Sequence, residues 1–154
     1  GSNVEPEKHL RLAIRELNGP FRLEQLSTVW QSAPVGFEGS DFLNAVVGAK
    51  TDLTADAVCA ELERIHDLAG RVRGKNAFTS RTLDIDLLMY GDSVIDSPPV
   101  RVPRKDILEY GFVLGPLAEI APTLRHPLTG KTMAEHWATF DRQAHPMVQV
   151  AFYL

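Results

Sequence analysis

The chain has 154 residues, 44% of them hydrophobic, with a formal net charge of −4 and a single cysteine. That length suits one ordinary domain with a real core, and the acidic balance argues against nucleic acid as a partner. Cys59 alone can form neither an internal disulfide nor a cysteine-built zinc site. No apolar run approaches the roughly 18 residues that a membrane span needs, and no signal peptide is visible, so no membrane partner is expected and the cytoplasm is the expected compartment.

Residues 4–17 predict a helix, because Leu10, Ala13, Ile14 and Leu17 recur at helical spacing. Asn18-Gly19-Pro20 ends it. Residues 21–31 predict a strand, 32–40 a loop with Ala33-Pro34, Gly36 and Gly39, and 42–50 a second strand. Residues 54–68 predict the second helix, with Ala57, Val58, Leu62 and Ile65 as its apolar stripe. Cys59 sits in that stretch as a small core residue.

A polar, basic loop follows over 70–80, then a strand over 82–90, a turn at Gly91-Asp92 and a short returning strand over 93–96. Residues 101–106 read as irregular, 112–120 as a short apolar helix stopped by Pro122, and 132–139 as a last helix. Residues 147–154 read as a closing strand. Helices between strands, with a hairpin around Gly91, imply an α+β sandwich.

The chemistry concentrates in Arg81-Thr82-Leu83-Asp84-Ile85-Asp86-Leu87-Leu88-Met89-Tyr90. Alternate strand residues share a face, so Leu83, Ile85 and Leu87 point one way and Asp84 and Asp86 the other, with their Cα atoms roughly 6.5–7 Å apart. Two carboxylates that close repel unless a cation or proton relieves them. A magnesium pair on phosphate oxygens would do so, and Arg71, Arg73 and Arg81 nearby would meet the same phosphates. The alternative is a solvated strand face with ordinary surface arginines, although aspartate is a poor strand residue. Gly130-Lys131-Thr132 imitates the end of a phosphate-binding loop, but Arg125 stands where its first glycine belongs. The five histidines have no metal spacing; His66 and His136 read as surface or half-buried helix residues.

The segment Arg81-Thr82-Leu83-Asp84-Ile85-Asp86-Leu87-Leu88 closely resembles the signature of the 6-hydroxymethyl-7,8-dihydropterin pyrophosphokinases of folate biosynthesis. Gly1-Ser2-Asn3, Phe42-Leu43-Asn44-Ala45, Gly70-Arg71-Val72-Arg73 and the run from Phe112 through Pro122 resemble further family motifs, in family order. The resemblance implies a ferredoxin-like α+β fold with a mainly antiparallel sheet. It also implies attack of the pterin hydroxymethyl oxygen on the β-phosphorus of ATP, with release of AMP.

The resemblance makes Asp84 and Asp86 the ligands of two Mg2+ ions, and Arg71, Arg73, Arg81, Arg101, Arg104 and Lys105 the ATP contacts, with Arg71 and Arg81 also catalytic. Phe42, Asn44, Phe78, Phe112 and the stretch holding Ser32, Ala33 and Val35 would hold the pterin. Phe42 and Phe112 read as core residues without it. Phe78, Arg104 and Tyr110 stand where the family often has Trp, His and Arg. The expected partners are these small molecules, on a monomer.

Two rival readings stay open: a catalytically weak paralogue that binds pterin or nucleotide as a sensor, and a ferredoxin-like RNA-binding module, which the acidic pair opposes. In the family an apolar strand precedes the Gly-Ser-Asn turn, whereas here a β-rich run, 147–154, closes the chain. A circular permutation is therefore expected within one domain, 1–154, with this run as an interior strand of the main sheet.

Overall fold

The computed structural model of the chain describes residues 1–70 and 83–154. Its elements are α1 (Pro6–Leu17), β1 (Arg22–Leu26), β2 (Val29–Ser32), β3 (Phe42–Asn44), β4 (Val47–Lys50) and α2 (Ala55–Leu68). There follow β5 (Ile95–Ser97), β6 (Val100–Val102), α3 (Asp106–Glu109), α4 (Gly111–Ile120), α5 (Met133–Thr139) and β7 (Met147–Val150). Every strand pairing is antiparallel, and the fold is α+β.

The two long helices form where periodicity placed them. Pro6 opens α1, where its missing N–H costs nothing, and Leu10, Ala13 and Leu17 are buried. Thr54 caps α2, its side chain accepting from the Ala57 N–H at 3.2 Å. These faces meet in one core with Phe21, Val29, Val58, Leu62, Ile65 and Leu83.

The two expected long strands are each split. β2 pairs with β3 (Trp30 opposite Asn44) and β1 with β4 (Leu26 opposite Val47), as two lengths of a bent antiparallel ribbon. Between those pairs the register slips by one residue. Ser27 sits at the break: its N–H donates to the Val46 carbonyl at 2.9 Å, and its hydroxyl accepts from the Val46 N–H at 2.9 Å. A second shift falls between Leu23 and Gln25. Such bulges bend a strand and raise its twist.

A second core joins Val46, Ile107, Leu114, Leu117, Ala118 and Met133. Glu119 of α4 ties that helix to the ribbon's bend, accepting from Thr28 N–H at 2.8 Å, Thr28 Oγ1 at 2.7 Å and Trp30 Nε1 at 3.2 Å. At Gly115 a Cβ would stand 2.9 Å from Met147 Cε and 3.1 Å from Trp137 Cη2, so only glycine lets α4 approach α5 and β7 this closely.

Three expectations change. The hairpin lies at Pro98-Pro99, joining β5 to β6, and not at Gly91; residues 101–102, read as irregular, belong to β6. Residues 83–90 carry no regular strand, although Asp84 pairs with Gly1 through both backbone groups, at 2.9 and 2.7 Å. β7 is not the interior strand that a permutation requires. It ends a three-stranded sheet, order β3-β2-β7, and pairs among the described residues only with β2.

Candidate active site

Gly1 and Ser2 stitch the site together. Gly1 bonds Asp84 as above, while Ser2 exchanges two backbone hydrogen bonds with Leu43, at 3.0 and 2.9 Å. The acidic segment is thereby held beside β3, which carries Phe42 and Asn44. A Cβ on Gly1 would meet Asn44 Oδ1, so a larger residue there would have to displace the Asn44 side chain.

The side chains of 83–90 alternate as a strand would. Leu83 is buried, and Ile85 and Leu87 pack on the same core. Asp84 and Asp86, together with Leu83, Ile85 and Leu87, line a cleft of about 1550 Å3. Its polar end also receives Arg104, Asp106, Tyr110 and Phe112; its apolar end runs between α1, α2 and β4, past Leu10, Leu17 and Leu62.

Burial pushes the Asp86 carboxyl above its ordinary pKa, and the neighbouring Asp84 charge pushes it further. The Arg104 guanidinium pulls it back, and Asp106 adds a smaller upward push. Arg104 reaches Asp86 Oδ1 at 3.7 Å and Asp106 Oδ1 at 3.3 Å. Its Nε is buried without a hydrogen-bond partner among the described residues.

All six described candidates for the flat-ring pocket line this cleft: Ser32, Ala33, Val35, Phe42, Asn44 and Phe112. Phe42 meets the edge of Phe37, with centroids 6.1 Å apart and rings 86° apart, and Phe112 stacks on Tyr110 at 5.1 Å and 17°. The Ser32 hydroxyl is buried and has no hydrogen-bond partner among the described residues.

Arg101 and Lys105 are not brought to the cleft. Arg101 is exposed on β6, 3.8 Å from Asp96, and Lys105 is exposed at the start of α3. Arg71, Arg73, Phe78 and Arg81 lie outside the described residues.

Sequence reading missed three contributors: Asp106, which shares Arg104 with Asp86; Phe37; and His66, which is buried rather than surface or half-buried. His66 is 2% exposed, and its Nε2 accepts the Ile85 N–H at 2.8 Å. A signal for His66 existed, since it lies between Ile65 and Ala69 on the buried stripe of α2.

Carboxylates and an arginine at one end of a cleft, beside an aromatic pocket carrying an amide, are the parts of a transferase that handles a phosphorylated substrate next to a planar one. The sequence model of the family described as 7,8-dihydro-6-hydroxymethylpterin-pyrophosphokinase (HPPK) matches residues 1–122. The 2-amino-4-hydroxy-6-hydroxymethyldihydropteridine pyrophosphokinase of Aquifex aeolicus (strain VF5) is 34% identical over 137 residues, 88% of this chain and 85% of that protein. The protein of the same description from Haemophilus influenzae is 34% identical over 131 residues, 82% of this chain and 81% of its own. The folic acid synthesis protein fol1 of Pneumocystis carinii is 34% identical over 118 residues, 76% of this chain and 16% of that longer protein. The chain belongs to the 7,8-dihydro-6-hydroxymethylpterin-pyrophosphokinase family.

Proposed function

We propose that this enzyme transfers the pyrophosphoryl group of ATP to 6-hydroxymethyl-7,8-dihydropterin, releasing AMP, as a step of folate biosynthesis. The observation that carries the reading is that one cleft, in a chain of this family, holds both Asp84 and Asp86 and the pocket of Phe42, Asn44 and Phe112. The hydroxymethyl oxygen attacks the β-phosphorus, the bond from that phosphorus to the α-bridging oxygen breaks, and the hydroxyl proton leaves to solvent. Positioning and charge neutralisation do most of the work in such a transfer.

Phe42 and Phe112 offer aromatic faces for the pterin. Asn44 can both donate to and accept from the amide edge of the ring, and the Ser32 hydroxyl can supply a further polar contact. Arg104 balances Asp86 and Asp106 here, and we assign it the phosphate contact among the described residues. Arg71, Arg73 and Arg81 are proposed to complete the phosphate site. Arg101 and Lys105, outside the cleft, are given no contact.

The donor set fits magnesium: the ion keeps several waters and takes one or two carboxylates plus substrate phosphates. Asp84 and Asp86 would hold two ions, which when bound would neutralise phosphate charge as Lewis acids. The same reading carries a single domain over 1–154, a ferredoxin-like arrangement of its elements, and a cytoplasmic monomer.

Incubation with ATP, magnesium and the pterin alcohol tests the proposal. AMP must form only when the alcohol is present. Binding of both ligands without AMP would instead identify a sensor, and ADP formation would overturn the reaction.

A further inference from the structure

His66 lies on α2, away from the open end of the cleft, yet it holds the peptide between the two acids. Its Nε2 accepts the Ile85 N–H at 2.8 Å and stands 4.0 Å from Asp84 Oδ1. Its Nδ1 lies 3.1 Å from Glu63 Oε1, one turn back on the same helix. A ring nitrogen that accepts an N–H carries no hydrogen itself, so the remaining proton sits on Nδ1 and is donated to Glu63. The chain of contacts therefore runs Glu63 carboxylate, imidazole, Ile85 amide, with the histidine's tautomer fixed at both ends.

The geometry clamps the segment from two sides. The backbone groups of Asp84 face Gly1, which donates to and accepts from them. The next N–H, that of Ile85, faces the opposite way, into α2. Rotation of the Ile85 peptide would turn the Asp84 side chain relative to that of Asp86, so the imidazole bond fixes their relative aim. Exact carboxylate orientation matters where a cation must meet two carboxylates and phosphate oxygens at once.

We propose that His66, oriented by Glu63, is a positioning residue that sets the Asp84–Asp86 pair for magnesium and the ATP phosphates. The proposal rests on the assignment of those acids as metal ligands. It goes beyond that assignment by giving a role to two α2 residues outside the acidic pair itself. The alternative is a buried histidine that only supports the core.

Three variants separate the two. His66→Phe keeps the ring and removes the acceptor; His66→Gln restores an acceptor oxygen. Glu63→Ala removes the orienting carboxylate from a side chain about half exposed, 52%, where folding is not at risk. Mn2+ binding in the presence of a non-hydrolysable ATP analogue gives a readout independent of turnover. His66→Phe should weaken Mn2+ binding ~10–100-fold, the usual cost of losing an outer-shell partner. Glu63→Ala should weaken it about 10-fold, at the lower edge of that range, and His66→Gln should recover most of the loss. The Michaelis constant for the pterin should not change.

In the wild type, nitrogen-15 spectra should place the His66 proton on Nδ1, and the Ile85 amide should exchange slowly. Mn2+ affinity unchanged within twofold in Glu63→Ala and in whichever His66 variants fold would overturn the proposal. So would a proton found on Nε2. If the wild type binds Mn2+ and the analogue but forms no AMP, the catalytic reading fails while the positioning result still stands on the binding data. If the wild type with the analogue binds no Mn2+, both fail.

Discussion

Replacing Asp86 by asparagine should do two opposite things. In the ligand-free protein the Asp86 carboxyl, although its side chain is 39% exposed, is pushed above its ordinary pKa, first by desolvation in the cleft and then by Asp84, and Arg104 at 3.7 Å only partly offsets this. The folded state thus disfavours the charge more than the unfolded chain does. A carboxyl raised on folding binds its proton more tightly in the native state, so stability falls as pH rises from the ordinary carboxylate value through the raised one. Asp86→Asn removes that loss. Its melting temperature should equal that of the wild type below the ordinary carboxylate range and exceed it at neutral pH, without magnesium or nucleotide.

Turnover should move the other way. Losing a metal ligand forfeits several kcal/mol of transition-state stabilisation; about 4 kcal/mol is roughly a thousandfold in rate. The assays are thermal unfolding from about pH 2.5, below the ordinary aspartate value of roughly 3.9, to about pH 8, stripped of metal, and AMP release at saturating magnesium. An asparagine variant that melts lower at neutral pH would refute the electrostatic account, and one that turns over within tenfold of the wild type would refute the ligand assignment.

Phe42→Ala and Asn44→Ala should each weaken pterin binding far more than binding of an ATP analogue, because stacking and the amide act on the ring; titration showing equal losses would move the pocket elsewhere. Arg104→Glu should raise the apparent ATP constant and leave pterin affinity nearly unchanged. An unaltered ATP constant would confine Arg104 to its pairing with Asp86 and Asp106. Hydrogen exchange over 33–41 should slow when both ligands bind, since closure over the site excludes competing water; equal rates with and without ligands would contradict a closing role.

The sequence was most legible where a pattern answers to local physics. The stripes of α1 and α2 and the alternation that puts Leu83, Ile85 and Leu87 against the core follow from spacing alone. Gly130-Lys131-Thr132 was correctly set aside: Thr132 instead caps α5, with Glu135 completing a capping box. What was not legible depends on partners distant in sequence. The split of β1 from β2 rests on Ser27 meeting Val46, which no propensity reports. Residues 147–150 read as a strand, but an alternating run does not name its neighbour, and β2, the middle strand of its sheet, is the neighbour it has. His66 was misjudged because a histidine between apolar stripe positions looks like a boundary residue until its acceptor role is seen. Of the candidate site, the acidic pair was readable from the residues. The ring pocket needed the family resemblance, since Phe42 and Phe112 alone look like core.

The most direct test of the central claim follows the phosphorus atoms. ATP labelled at both the β and γ positions, given to the enzyme with magnesium and the pterin alcohol, should place both labels on one pterin product and leave AMP unlabelled. Transfer of the γ label alone, with ADP as the second product, would contradict pyrophosphoryl transfer, and so would both labels appearing as free pyrophosphate.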